Sequence, residues 1–203
     1  MMTRLGLFIL ALTFLFTLPA NAGDGKDLPA VAFVQKLGDK ALSSLTDKGL
    51  PRATRETRVR ALLRENFDLQ TIGRFALGTY WRAATSAERS EYMDLFEDMI
   101  VQTYTTRFED YSGQSFKVVK GTKSGDADYI VTSQIIQKDG PPVNVDWRVR
   151  QKDGQMKIVD VIVENISMGV TQRSDFSSVI QNGGGTVKSL IASLRDRKKP
   201  KKT

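Results

Sequence analysis

From Pro141 to Met168 the chain reads PPVNVDWRVRQKDGQMKIVDVIVENISM, and no other stretch restricts the fold as strongly. Val143, Val145, Trp147 and Val149 alternate with Asn144, Asp146, Arg148 and Arg150. A period of two places one set on each face of a strand, so this segment predicts a strand with one face buried and one wetted. Asp153-Gly154 supplies a turn, because glycine reaches the positive φ that a tight hairpin requires. The run from Met156 to Val163 is apolar on both faces apart from Lys157 and Asp160. The second strand of this hairpin therefore requires cover on both sides, beyond what a single core layer supplies.

The segments on either side of the hairpin decide what that cover is. Upstream, Phe33, Val34, Leu37, Ala41 and Leu45 recur at helical spacing after Pro29, and Lys48-Gly49-Leu50-Pro51 closes that helix. A second helix is expected from about Ala53 to Asn66, with Val59, Leu62 and Leu63 on one face. Ile72, Phe75, Ala76 and Leu77 follow, with Gly73 inside the segment pointing either to close packing or to a weak helix. Thr85-Ser86-Ala87-Glu88 is a capping box, and it opens the longest helix. That helix carries a broad stripe of Tyr92, Leu95, Phe96, Met99, Ile100, Thr103, Tyr104 and Phe108. Four strand-like runs come next: Phe116 to Val119, Tyr129 to Ile136, Val143 to Val149, and Met156 to Val163. Short Gly/Asp turns at Gly121 to Asp128, Asp139-Gly140 and Asp153-Gly154 join them, which means an antiparallel meander. Helical spacing returns with Phe176, Val179 and Ile180, then after Gly183-Gly184-Gly185 with Val187, Leu190, Ile191 and Leu194. The glycine run lacks the lysine and the preceding strand of a phosphate loop and reads as a flexible joint. The expected class is α+β: a four-stranded antiparallel curved sheet packed against N-terminal and C-terminal helices, a cone of NTF2-like type.

Composition narrows the function. Arg4, the apolar run Leu5 to Leu18 and Ala20-Asn21-Ala22 read as a secretory signal peptide over residues 1–22, cleaved on export. Residues 23–194 then make one domain. The chain has no cysteine and no histidine, so no disulfide, no Ser-His-Asp triad, no Cys nucleophile and no usual zinc site can be built. No catalytic residue, metal or cofactor is assigned. Residues 195–203 hold six basic side chains against Asp196, so most of the formal charge of +7 sits at the end of the chain. They read as a disordered tail, with a weak attraction to anionic membrane surfaces as the functional alternative. The nearly neutral body argues against nucleic acid as a partner.

Three blocks resemble the MlaC family, also called the toluene-tolerance family of periplasmic lipid-binding proteins. They are FALGTYWRAATSAERSEYMDLF from Phe75 to Phe96, the stretch Tyr104 to Gln114, and Pro141 to Asp146 running through Asp160-Val161-Ile162-Val163-Glu164 to Ile166-Ser167-Met168. Met156 and Asn165 stand where the family often has Trp and Gly. Methionine remains an apolar filler, and asparagine tolerates the left-handed backbone that a turn requires. The resemblance implies a soluble periplasmic carrier, monomeric, that moves phospholipid between an inner-membrane ABC transporter complex with an MCE-domain subunit and an outer-membrane lipoprotein complex. It implies lipid tails between sheet and helices. A branch of the family associated with hopanoid-producing bacteria implies a rigid polycyclic lipid as the alternative cargo.

The residues agree with a carrier. Two acyl chains hold about 30 methylenes, and exposing them to water costs on the order of 24 kcal/mol. A surface groove leaves much of that cost in place, so the tails require a deep apolar pocket. The candidate lining is Phe75, Leu95, Phe96, Met99, Ile100, Tyr104, Val145, Trp147, Val149, Val161, Val163, Ile166 and Met168. Sequence alone does not separate pocket wall from plain core among them. Asp160 and Glu164 are expected to cap turns or to pair with Arg148 or Arg173. The competing expectation is a small proton-transfer enzyme on a similar fold, with Asp160 and Tyr104 as the working pair. A ligand-free structural module is the third.

Overall fold

Every strand passes to the next through a short turn, and the sheet is accordingly a meander. The computed structural model describes residues 25–198; the expected signal peptide lies outside them. Five helices precede the sheet: α1 (Pro29–Leu45), α2 (Arg52–Asn66), α3 (Leu69–Leu77), α4 (Tyr80–Ala83) and α5 (Ser86–Glu109). The strands are β1 (Ser115–Ser124), β2 (Asp128–Ile136), β3 (Val143–Lys152), β4 (Gln155–Val163) and β5 (Ile166–Ser167). Two helices close the chain, α6 (Met168–Asn182) and α7 (Val187–Lys198). The sheet order is β1-β2-β3-β4-β5, antiparallel throughout.

The expected α+β class with an antiparallel sheet against helices holds, with a correction in the strand count: five strands, not four. Glu164 and Asn165 both adopt positive φ, 46° and 65°. That two-residue turn brings Ile166 and Ser167 back beside Val163 and Ile162. A strand of two residues shows no alternation, so periodicity does not reveal it. β1 is also longer than Phe116 to Val119, because Gly121 lies inside the strand and not in a turn. A Cβ at Gly121 would come within 2.6 Å of Val31 Cγ2, so glycine serves there for close approach of α1. Gly73 likewise marks close packing, since a Cβ would meet Met93 Sδ at 2.7 Å. At the other end α7 runs through Lys198, past the point where the disordered tail was expected to begin. Val187, Leu190, Ile191 and Leu194 bury its apolar face, and Arg195 pairs with Glu91 of α5. Lys199 to Thr203 lie outside the described residues.

The apolar residues divide into two cores. One lies between the sheet and helices α1, α2 and the C-terminal half of α5, with Val34, Leu45, Val59, Val101, Val131, Val149 and Ile158 almost fully buried. The other is all helical, built from α3, α5, α6 and α7 around Leu77, Tyr92, Phe96, Phe176, Ile180 and Leu190. Its rings interlock: Tyr92 stacks on Phe96 at 5.7 Å, and Phe176 meets both edge-on. Tyr92 donates its hydroxyl to the Gly73 carbonyl at 2.8 Å, and burial pushes that phenol well above its usual range. Ile100 packs against both cores.

Polar groups fix the helices relative to one another. Thr85 and Glu88 form the expected capping box at the start of α5. Arg55 is only 4% exposed. It donates to the Leu45 carbonyl at 2.9 Å and the Asp47 carbonyl at 2.6 Å, and approaches Glu109 at 3.4 Å. One guanidinium thus holds the end of α1, the loop after it and the end of α5. Arg60 bridges α2 to Glu97 and Asp98 of α5, and its pKa stands above the usual value because those two hydrogen-bonded carboxylates together outweigh its burial. Thr105, fully buried on α5, has a hydroxyl with no hydrogen-bond partner among the described residues.

Two outcomes follow for stability. Arg55→Met leaves two carbonyls without their donor and is expected to lower the unfolding free energy by about 3 kcal/mol, read from urea denaturation. Thr105→Val keeps the shape and removes the unpaired hydroxyl, so it is expected to raise stability by about 1 kcal/mol and the melting temperature by about 3 °C in calorimetry.

Candidate functional site

The strand register arranges the inner sheet face in rows. Tyr129, Val149 and Ile158 form one row, and Val131, Trp147 and Val161 the next. Ser133, Val145, Val163 and Ile166 form a third, and Phe116, Ile135 and Val143 a fourth. A bulge at β4 keeps the rows in step: Arg148 faces Asp160 while Val149 faces Ile158. The helices cover these rows unevenly. The first row is buried under α1 and α2. Trp147, Val161, Val163, Ile135 and Val143 are only half-buried, and Ile166 is 58% exposed. An inner face that stays apolar beyond the reach of its covering helices is the feature that marks the site.

The thirteen residues expected to line a pocket fall into three groups. Ile100, Tyr104, Trp147, Val149 and Val161 belong to or pack on the sheet core, with Val145 buried beside them and Val163 continuing the row outward. Leu95, Phe96 and Met99 belong to the helical core. Phe75, Ile166 and Met168 are exposed, at 43%, 58% and 37%. Phe75 lies against Gly169 at the start of α6, and the Arg173 guanidinium stands 5.5 Å over its ring. Half-buried Ile135, Val143 and Phe116 share the open rows and were not singled out from the sequence. The signal that was available is the same alternation, carried across to β1 and β2.

The polar atoms of the open part are few. Trp147 donates its indole N–H to Ser133 Oγ at 2.8 Å, and Ser133 donates to the Val145 carbonyl at 3.2 Å. Phe116 meets the Trp147 ring edge-on at 6.2 Å, which fixes the indole plane. Tyr104 is half-buried, and burial raises its phenol above the usual range despite the opposing charge of Arg107. Asp160 caps turns as expected. Its carboxylate accepts from Val161 N–H at 2.9 Å, Ser167 Oγ at 2.7 Å and Gly169 N–H at 3.1 Å, and so fixes the corner where the sheet gives way to α6. Glu164 accepts from the Asn144 backbone N–H rather than pairing with an arginine. Register places Asp160 opposite Arg148, on the sheet face away from Trp147 and Val161. Asp160 and Tyr104 therefore address different sides of the sheet and do not form an acid–base pair.

Two surface clefts lie elsewhere. One, of about 480 Å³, is lined by Arg64, Asp68, Glu97, Arg150 and Lys157 among others. The second, of about 400 Å³, lies between α1 and the start of β4 and is lined by Phe33, Lys40, Glu65 and Met156 among others. None of the thirteen candidates lines either one. Both are wide and ringed by charged side chains, which suits water better than hydrocarbon.

Comparison with known proteins finds the same fold elsewhere. The solved structure of a phospholipid-binding protein from Ralstonia solanacearum, in complex with a phospholipid, superposes with a TM-score of 0.69 at 24% identity, over 82% of this chain and 94% of that one. The similarity is one of fold. The intermembrane phospholipid transport system binding protein MlaC of Haemophilus influenzae is 28% identical over 105 residues, 50% of this chain and 49% of that protein. The chain thus spans about half the length of that relative. The family model described as MlaC protein matches residues 35–196, from within α1 to near the end of α7, and the chain belongs to the MlaC family.

Proposed function

We propose that this protein is a soluble periplasmic carrier that binds phospholipid acyl chains and moves the lipid between inner and outer membrane. The observation that carries the reading is the uneven cover of the inner sheet face. Trp147, Val161 and Val163 stay half-buried and Ile166 is exposed on a face whose row at Tyr129, Val149 and Ile158 is sealed by helices. Leaving such a strip in water is unfavourable at about 25 cal/mol per Å², and acyl chains packed between it and α5 lower that cost for protein and lipid together. In this reading the open rows form the floor, Ile100 and Tyr104 of α5 the wall, and Phe75, Ile166 and Met168 the rim. In the same reading the sheet curves toward the helices as a cone of NTF2-like type.

Phospholipid is favoured over a polycyclic hopanoid as cargo, because both named relatives are described by phospholipid. The carrier receives and delivers its lipid as the soluble component between an inner-membrane MCE-domain ABC transporter complex and an outer-membrane lipoprotein complex. The basic residues at the C-terminus add a weak attraction to anionic surfaces, on the order of 1 kcal/mol per side chain near the membrane. Among the described residues no helix is long and apolar enough to cross a membrane.

Native mass spectrometry with lipid extraction, on protein purified from the periplasm, tests the reading. One phospholipid per chain is the expected result; protein that is empty and also fails to take up added phospholipid would overturn it. Val163→Glu puts a carboxylate on the strip, where burial against acyl chains costs several kcal/mol. Bound lipid is expected to fall by more than about tenfold in the same measurement. Lys120→Glu, on the outer face of β1, is expected to leave bound lipid unchanged.

A further inference from the structure

Tyr104 and Arg107 are not absorbed by the packing just described. Tyr104 projects from α5 into the sheet core among apolar neighbours. Neither its hydroxyl nor the Arg107 guanidinium has a hydrogen bond or ion pair among the described residues. Arg107 follows three positions later, so the two side chains share a helix face about 4.5 Å apart along the axis. Arg107 is exposed, and its charge reaches the Tyr104 phenol. The half-buried phenol packs its ring on the sheet core and keeps its hydroxyl within reach of a polar group from outside, and the cation beside it gives the pair a direction: apolar within, positive without. Burial raises the phenol pKa, so the hydroxyl remains a donor at neutral and mildly alkaline pH.

We propose that Tyr104 and Arg107 are the polar anchor of the lipid site, with the Tyr104 hydroxyl donating to an ester carbonyl of the glycerol backbone and the Arg107 guanidinium meeting the phosphate. This rests on the carrier reading and deepens it, since it names which lipid class the site selects. A diacyl glycerophospholipid carries an ester carbonyl and an anionic phosphate a few bonds apart, in the order that the helix face presents their partners. A polycyclic hydrocarbon lipid carries neither group and leaves the Tyr104 hydroxyl unpaired in an apolar pocket. Sites that hydrogen-bond a ligand group discriminate against analogues lacking it for this reason. Tyr104 and Arg107 thus act as specificity determinants, while the open rows of the sheet supply most of the affinity.

The test is displacement of a fluorescent acyl lipid from the full mature chain by three probes: dipalmitoyl phosphatidylglycerol, its diether analogue, and dipalmitoylglycerol. The unaltered protein is expected to prefer the diester to the diether by about fivefold, the scale of one net hydrogen bond. Tyr104→Phe is expected to abolish that preference by weakening only the diester. Arg107→Gln is expected to weaken phosphatidylglycerol by about tenfold and to leave dipalmitoylglycerol, which has no phosphate, unchanged. Equal binding of diester and diether by the unaltered protein overturns the role of Tyr104, and this comparison requires no variant to fold. Arg107→Gln weakening both phosphatidylglycerol and dipalmitoylglycerol alike, or neither, overturns the role of Arg107. Failure of the unaltered protein to bind any of the three lipids overturns the carrier reading itself, a result distinct from lipid bound without ester or phosphate preference.

Discussion

The packing of α5 into two hydrophobic cores at once is the constraint on which the architecture depends. A helix of 24 residues is about 36 Å long, more than any strand of this sheet. Its first half closes the helical core with Tyr92 and Phe96; its second half lies over the sheet with Val101, Tyr104 and Phe108. Because α5 is divided in this way, it cannot cover the whole inner face. α1 and α2 seal the rows near Tyr129 and Ile158, and Arg55 locks those helices to the end of α5. The rows around Trp147 and Val163 are what remains.

The same division explains how much of the molecule is legible from its sequence. Elements follow from local rules and are legible: the alternation of β3, the capping box at Thr85 and the left-handed turn at Asn165 each have a cause within a few residues. What fails locally is instructive. Gly121 reads as a turn, yet it lies in a strand because α1 passes too close for a side chain. Arg195 to Lys198 read as a tail by charge, yet they extend a helix whose apolar face was already committed to the second core. β5 is too short to carry a pattern at all.

The candidate site is less legible, for a physical reason. Leu95, Phe96, Ile100 and Tyr104 sit on one apolar stripe and are alike in chemistry. Only the place at which α5 leaves the helical core for the sheet core decides that Phe96 touches Tyr92 and Phe176 while Tyr104 faces the sheet. That place is set by contacts between distant segments, among them Phe67 bridging to Ile158 at the edge of β4. Asp160 shows the opposite case. A carboxylate in an apolar strand suggests chemistry, and its three hydrogen bonds to Val161, Ser167 and Gly169 reveal a structural corner.

The outer edge of the sheet is β1, and it carries Lys117, Lys120 and Lys123 along a strand broken by a bulge at Val119. Exposed strand edges invite pairing with another chain, and lysines with a bulge are the usual obstacles to it. The consequence is colloidal. A chain with no cysteine has no covalent insurance against misassembly, and one that keeps an apolar strip open on the inner sheet face has a second sticky surface on that same sheet. Charge along that edge works against neighbouring copies zipping together through β1, where an open apolar strip on the same sheet favours association.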